Sequence, residues 1–318
     1  MNIKNLIKYI VMLISFYIIY NIIDLKQFYN LCKQVNIQIL FVIFLLSLAR
    51  LWLLAVRWKL LIPTKVKYPT GYYVKLILAS SSVNLFFPTS LGADVIRSII
   101  VKNKETQTVN YSFASVYVDR FIGLFSILII ALIVSFFSYD FKYRILVIQM
   151  SLLLIVCMVF ILVTMKFLVK LNIESKNNSS KFIIHKLKQK SINILNIFKT
   201  YKISFVQIIY TFILSIIIHL IWFFTIWYIA NEYSINVSFQ IITLVTIIVW
   251  LATMLPISIS GFGIRELGFV YLLNQYGITT TQSMFLGAFQ SFILFVFSLI
   301  GLPLLFKYIS NPFKRPKK

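Results

Sequence analysis

Acid is scarce in this chain. Eight Asp and Glu stand against 31 Lys and Arg in 318 residues, a formal net charge of +23. Charged residues of both signs make up only 12%, where a soluble domain carries roughly 25%. Hydrophobic residues make up 60%, and the mean hydropathy is +0.91. A soluble globular protein is thereby excluded, and an integral membrane protein remains. The longest polar stretch, about 166–202, is too short to be a catalytic globular unit. Cysteine and histidine occur twice each. Cys32 lies near a loop and Cys157 inside an apolar run, so no disulfide is expected, and no Cys/His cluster suggests a metal. No phosphate-binding loop of the G-x-x-x-x-G-K-S/T kind is present. No basic, aromatic-interleaved soluble module exists to bind nucleic acid. Residues 2–23 have an apolar core but no small-residue cleavage site, and read as a first span.

A full span needs about 20 apolar residues. Six stretches qualify, at roughly 6–23, 37–58, 111–137, 145–165, 204–230 and 281–306. Two more, about 72–100 and 237–277, are interrupted, and their charges decide how they run. If each enters and leaves by the same face, most cations fall in inner loops, among them Arg57, Arg97 and the lysines of 166–202. The outer loops then hold only Lys26, Lys33, Lys142 and Arg144, while Arg50, Arg120 and Arg265 stay within the membrane. That is the positive-inside distribution. The expectation is an all-α, polytopic membrane protein of six full spans plus two re-entrant hairpins, eight membrane segments in one integral membrane domain over 1–318. It is placed in the cell membrane with both termini cytoplasmic. Two simple crossings in place of the hairpins would leave the same end orientations. Within 172–202, Ile184, Leu187, Ser191, Leu195 and Phe198 recur at three- and four-residue steps beside Lys181, Lys186, Lys188 and Lys190. This predicts an amphipathic helix on the anionic inner leaflet, with a soluble helix capping the bundle as the alternative.

The two interruptions share one pattern, 168 residues apart. Pro88-Thr89-Ser90-Leu91-Gly92-Ala93-Asp94-Val95-Ile96-Arg97 returns as Pro256-Ile257-Ser258-Ile259-Ser260-Gly261-Phe262-Gly263-Ile264-Arg265, followed by Glu266. In both, Ser stands two residues after Pro, and Ile-Arg eight and nine after it. Paired, broken apolar segments in the two halves of a membrane protein mark a substrate site between inverted repeats. The bland alternative is a chance match between two ordinary turns.

Three of the eight acids, Asp94, Asp119 and Glu266, fall at membrane depth or at hairpin tips. A charge at mid-bilayer costs at least about 2.5–3.5 kcal/mol, so it faces a partner or a wet cavity. Arg50 and Asp119 sit at matching depth and are expected to pair. Asp94 and Arg97, three apart on one helical face, are expected to pair too, leaving Glu266 for Arg120 and Arg265. Ser90, Ser258 and Ser260 are candidates to cap the half-helices that follow each break. A half-helix N-terminus plus an Arg fork suits an anionic headgroup. The competing reading is that these charges neutralise one another as bundle glue. His219 reads as a hydrogen-bonded bundle residue, and Trp222, Trp227 and Trp250 as lipid-facing packing.

Those two motifs, with Tyr117-Val118-Asp119-Arg120 between them, resemble the lysylphosphatidylglycerol synthase transmembrane family, also described as flippase-like. The resemblance covers nearly the whole chain. It departs at Ala93, where a second Gly is frequent, and at Asp119, where Glu is common. Full-length multiple peptide resistance factors join such a membrane domain to a cytosolic aminoacyl-tRNA-dependent synthase domain, and the membrane part is implicated in moving aminoacylated phosphatidylglycerol between leaflets. The chain stops at Lys318, soon after its last span, so no synthase domain is expected to follow. A lysyltransferase label would therefore rest on the resemblance alone.

The leading expectation is a translocase for a phosphate-bearing lipid, either an aminoacyl-phosphatidylglycerol or a polyprenyl-phosphate-linked glycan precursor. Its substrate-binding residues are Ser90, Asp94, Arg97, Asp119, Arg120, Ser258, Ser260, Arg265 and Glu266, with no catalytic residue and no cofactor. Other readings are a membrane component of lysylphosphatidylglycerol synthesis and cationic peptide resistance, or an intramembrane polyprenyl-phosphate enzyme. Against the enzyme stands the lack of a Ser/His pair or acidic metal cluster. A further reading is a scaffold that holds a cytosolic synthase or glycosyltransferase partner through 166–202.

Overall fold

The computed structural model describes residues 17, 20–62, 68–85, 91–100, 109–140, 142–171, 203–255, 258 and 260–310. Expectations for the span at 6–23, for Ser90 and for the amphipathic segment 172–202 lie outside these residues, apart from the end of that span. The described residues are helical, without strands. They form α1 (Leu25–Lys33), α2 (Ile37–Leu61), α3 (Thr70–Ser81, continued by a 3-10 turn over Ser82–Leu85), α4 (Leu91–Ile100), α5 (Val109–Phe137) and α6 (Arg144–Leu171). The second half holds α7 (Phe205–Glu232), α8 (Phe239–Thr253), α9 (Ile264–Leu273, continued by a 3-10 turn over Asn274–Tyr276) and α10 (Thr280–Ser310). Four segments among the described residues are long and apolar enough to cross a membrane: 37–61, 112–137, 205–232 and 280–308.

Local chemistry sets the ends of these helices. The Asn36 side chain accepts from the Gln38 N–H at the start of α2, and Ser238 accepts from the Ile241 N–H at the start of α8. At the start of α7, Ser204 and Gln207 satisfy each other's backbone N–H groups as a capping box. Polar residues inside the apolar helices bond back to their own turns. Thr211, Ser215, Thr225 and Thr243 each donate to the carbonyl four residues earlier, which hides the hydroxyls from hydrocarbon.

Both interrupted stretches are two half-helices around a break. α3 packs against α4, and α8 against α9. At 1.5 Å per residue, α9 is about 15 Å long and α8 about 22 Å, short of a bilayer core of about 30 Å. The second pair is clamped at Gly268, where an added Cβ would lie 2.8 Å from Val249 Cγ2. Packing between the halves is reciprocal: α2 lies on α7, α3 on α10, and α8 on α5. Gly301 lets α3 approach α10 so closely that a Cβ there would overlap the Leu78 carbonyl, and Ser82 Oγ donates to Ser298 O at 2.6 Å across the same contact.

Loops assigned to one face by charge gather at one end of the bundle. Phe285, at the start of α10, packs edge-on to Phe28 and lies 4.6 Å from the Tyr233 ring. The Lys142 N–H donates to Tyr276 Oη at 2.9 Å, and Gln275 Nε2 donates to Tyr143 Oη at 2.6 Å. At the opposite end, Lys59 Nζ donates to Thr70 Oγ1, and Gln207 Nε2 to Leu60 O. The main apolar core joins buried residues of α5, α7, α8, α9 and α10. A smaller one joins Ala55, Trp58, Tyr73, Leu76 and Val116.

Candidate functional site

The half-helices and the spans around them enclose a cavity of about 340 Å³. Ala93, Asp94 and Arg97 reach it from α4, and Ser260, Gly261, Phe262 and Arg265 from the second break. Arg50, Arg57, Asp119, Arg120, His219, Trp222 and Trp250 complete its polar and aromatic lining. Two motifs far apart in sequence thus open on one chamber inside an apolar bundle.

On the α4 side the charges bind one another. Asp119 is buried and accepts from Arg57 Nε at 2.8 Å and from Arg97 Nη2 at 3.2 Å. Asp94 lies 3.6 Å from Arg97 Nη2 and 2.8 Å from Arg120 Nε, and its Oδ1 accepts from Arg120 Nη2 at 3.1 Å. Trp58 provides the floor: the Arg97 guanidinium carbon lies 4.4 Å from its ring centre, and its own N–H donates to Ser115 Oγ at 3.3 Å. Arg57 also donates to Ser215 Oγ on α7 at 2.9 Å, which ties the cluster to the second half. Gly123 faces that arginine, and a Cβ there would sit in van der Waals contact, 3.4 Å from Arg57 Nη1.

The second break is held mostly by neutral groups. Ser260, Gly261 and Gly263 all have positive φ, at 55°, 80° and 82°. Glycine takes that conformation without strain, whereas Ser260 carries it at a cost of about 1–3 kcal/mol. Gly263 is the N-cap of α9, and Glu266 Oε2 accepts from its N–H at 2.6 Å. Arg265 is buried, donating Nη1 to Ser291 Oγ at 2.6 Å and Nη2 to Ser260 O at 3.2 Å. Ser291 in turn donates to Glu266 Oε1. Ser258 is buried, and its hydroxyl has no partner among the described residues.

Several expectations need correction. Asp119 pairs with Arg57 and Arg97, not with Arg50; α2 continues to Leu61, so Arg57 is a buried helical residue, not a loop cation. Arg97, counted with the inner-loop cations, is buried as well. Arg120 is met by Asp94, not left for Glu266; Glu266 lies near enough to Arg265 to act on its charge and is bridged to it by Ser291. Neither Ser258 nor Ser260 caps α9. Trp222 and Trp250 line the cavity instead of facing lipid. Asp94 and Arg97 do pair. His219 Nε2 meets Gly123 O at 3.1 Å, as a hydrogen-bonded bundle residue should. Sequence reasoning missed Arg57, Trp58 and Ser291 as parts of this arrangement.

Among the described residues no group of three or more His, Cys, Asp or Glu could hold a metal ion. The chamber is lined by guanidinium groups, two aspartates, hydroxyls and aromatic faces, and its guanidinium forks suit an anion. Searches among curated proteins and among solved structures each found no match. The family model described as the lysylphosphatidylglycerol synthase TM region does match, over residues 5–301, and the chain belongs to that family.

Proposed function

We propose that this protein binds a phosphate-bearing lipid in the central cavity and moves it between leaflets. The observation that carries this reading is a chamber with five arginines and only two aspartates in its lining, Asp94 and Asp119, set inside an apolar bundle at two broken hairpins. An aqueous anion pocket needs no such depth, whereas a headgroup crossing a bilayer needs polar partners where hydrocarbon would reject it. Asp94, Arg97, Asp119, Arg120, Ser260 and Arg265 line the route, with Ser258 and Glu266 behind the second break and Ser90 before α4. The acyl chains remain in lipid, beside exposed apolar side chains such as Trp52 and Leu48 of α2.

The two units, α2 to α5 and α7 to α10, act as an inverted repeat in a multi-pass cell-membrane protein with cytoplasmic termini. Shared element order and reciprocal packing support this. Removing Arg57 and Arg97 from the inner-loop cations leaves the charge bias intact. The lysine-rich sequence of 166–202 suits the anionic inner leaflet and a cytosolic synthase or glycosyltransferase partner. The lipid is an aminoacyl-phosphatidylglycerol or a polyprenyl-phosphate-linked precursor. Native mass spectrometry of the purified chain tests this: a bound anionic phospholipid or polyprenyl phosphate is expected, and only zwitterionic lipid in proportion to the membrane would contradict it.

A further inference from the structure

Among the described residues, two arginines in the cavity have no carboxylate in salt-bridge contact. Arg50 lies in mid-helix, about 17 Å from the Leu61 end of α2 at 1.5 Å per residue. Its guanidinium carbon sits 4.6 Å from the Trp222 ring centre, and its Nε is buried without an acceptor. No hydrogen bond or ion pair reaches Arg50 among the described residues. A cation–π contact of about 2 kcal/mol does not offset the desolvation of a whole charge at that depth.

Arg265 is the second. Its two hydrogen bonds go to a hydroxyl and a carbonyl, which spends two of five N–H donors. The carboxylate beside it is engaged elsewhere, accepting from the Gly263 N–H and from Ser291. Both arginines line one recess of about 60 Å³, walled by Trp222, Trp250, Thr253 and Gln290. A single water needs at least about 10–15 Å³, so the recess has room for a small polar group such as part of a phosphate. Arg50 and Arg265 bring positive charge to the recess while Glu266 stays outside its lining, so the group of a bound lipid that fits there is its headgroup phosphodiester.

We propose that Arg50 and Arg265 form a phosphodiester-binding subsite in this recess, distinct from the ion-pair cluster around Asp119. Trp222 holds the Arg50 guanidinium, and Thr253 and Gln290 complete the polar wall. The subsite deepens the proposed function and rests on it: the headgroup phosphate sits between the first span of one half and the broken hairpin of the other. The Asp94–Asp119 cluster then positions α4 and leaves the grip to these two arginines. A guanidinium on each side gives two forks for one tetrahedral anion, the geometry in which Arg outperforms Lys.

The test is titration of the full chain, purified in a maltoside detergent that carries no phosphate, with short-chain phosphatidylglycerol. Intrinsic tryptophan fluorescence reports binding, since Trp222 and Trp250 wall the recess. Saturable binding is expected for the natural sequence. Arg50→Gln and Arg265→Gln should each weaken it at least tenfold, and Arg50→Lys at least threefold. Arg144→Gln, which removes a cation stacked on Tyr139 outside the cavity, should change it less than twofold. Should Arg50→Gln fail to fold, Arg50→Lys carries the test. Folded Arg50 variants that bind as tightly as the natural sequence overturn the subsite while the lipid-binding reading stands. Inorganic phosphate competing at the lipid's own concentration overturns the phosphodiester assignment in favour of free phosphate. No binding by the natural sequence overturns the proposed function along with the subsite.

Discussion

The two broken hairpins share a sequence pattern but treat charge in opposite ways. The first places Asp94 and Arg97 into a closed network in which two aspartates meet three arginines within 3.6 Å or less. The second holds its arginine with a hydroxyl and a carbonyl and uses its one acid to cap α9. A buried ion pair breaks even at best against an apolar replacement, but losing one partner leaves an uncompensated charge at a cost of 3–5 kcal/mol or so. The first hairpin should therefore govern folding and the second should govern binding.

The largest effect expected from this contrast is at Asp119. Asp119→Asn takes the carboxylate from Arg57 and leaves Arg97 only Asp94 at 3.6 Å, and should lower unfolding stability by about 3–5 kcal/mol, read as a thermal shift in detergent. Arg265→Gln should shift melting far less, because Ser291 still reaches Glu266. Equal losses in the two variants would erase the distinction between the hairpins.

Next in size is the contact of α3 with α10. Gly301→Ala drives a methyl into the Leu78 carbonyl, an overpacking expected to cost about 1–3 kcal/mol. Gly287→Ala sharpens the comparison on the second hairpin, where the new Cβ would meet Glu266 Cα at 2.9 Å. That substitution presses on the binding side, so it should weaken lipid capture, measured by co-purified lipid, more than Gly301→Ala does. The smallest effect belongs to Gly71, which has nothing within 4 Å of an added Cβ. Gly71→Ala should raise stability by about 0.4–1 kcal/mol, and a fall of that size would show that the start of α3 is more tightly packed than described. A geometric check needs no energy at all: cysteines in place of Gly92 and Ser260 should cross-link with short reagents, and failure to do so would separate the two breaks.

The spans were legible because hydropathy sees length. Expected stretches at 37–58, 111–137, 204–230 and 281–306 became helices 37–61, 109–137, 205–232 and 280–310. The breaks were legible too, as Pro, Gly and Ser interrupt apolar runs at both repeats. Pairing was not. Arg57 looked like a loop cation because it lies one residue before the predicted end of its span, and one extra helical turn carries it into the bundle. Arg50 looked like the partner of Asp119 because depth alone was available; which face of α2 each arginine occupies depends on packing against α5 and α7. The cap of α9 carried a readable signal, Gly263 with Glu266 three residues on, but the serines upstream competed for the same role. Trp222 and Trp250 have the composition of lipid-facing aromatics, and only the fold shows that they wall a cavity.

The central claim is that a phosphate-bearing lipid crosses the membrane through the chamber the two hairpins share. Its most direct test is leaflet exposure of a labelled anionic phospholipid in vesicles reconstituted with the full chain, beside Arg265→Ala and Arg265→Lys. The natural sequence should equilibrate the label between leaflets, Arg265→Ala should abolish this with melting nearly unchanged, and Arg265→Lys should fall in between. Label that stays in its original leaflet with the natural sequence, or moves as fast with a folded Arg265→Ala, would contradict it.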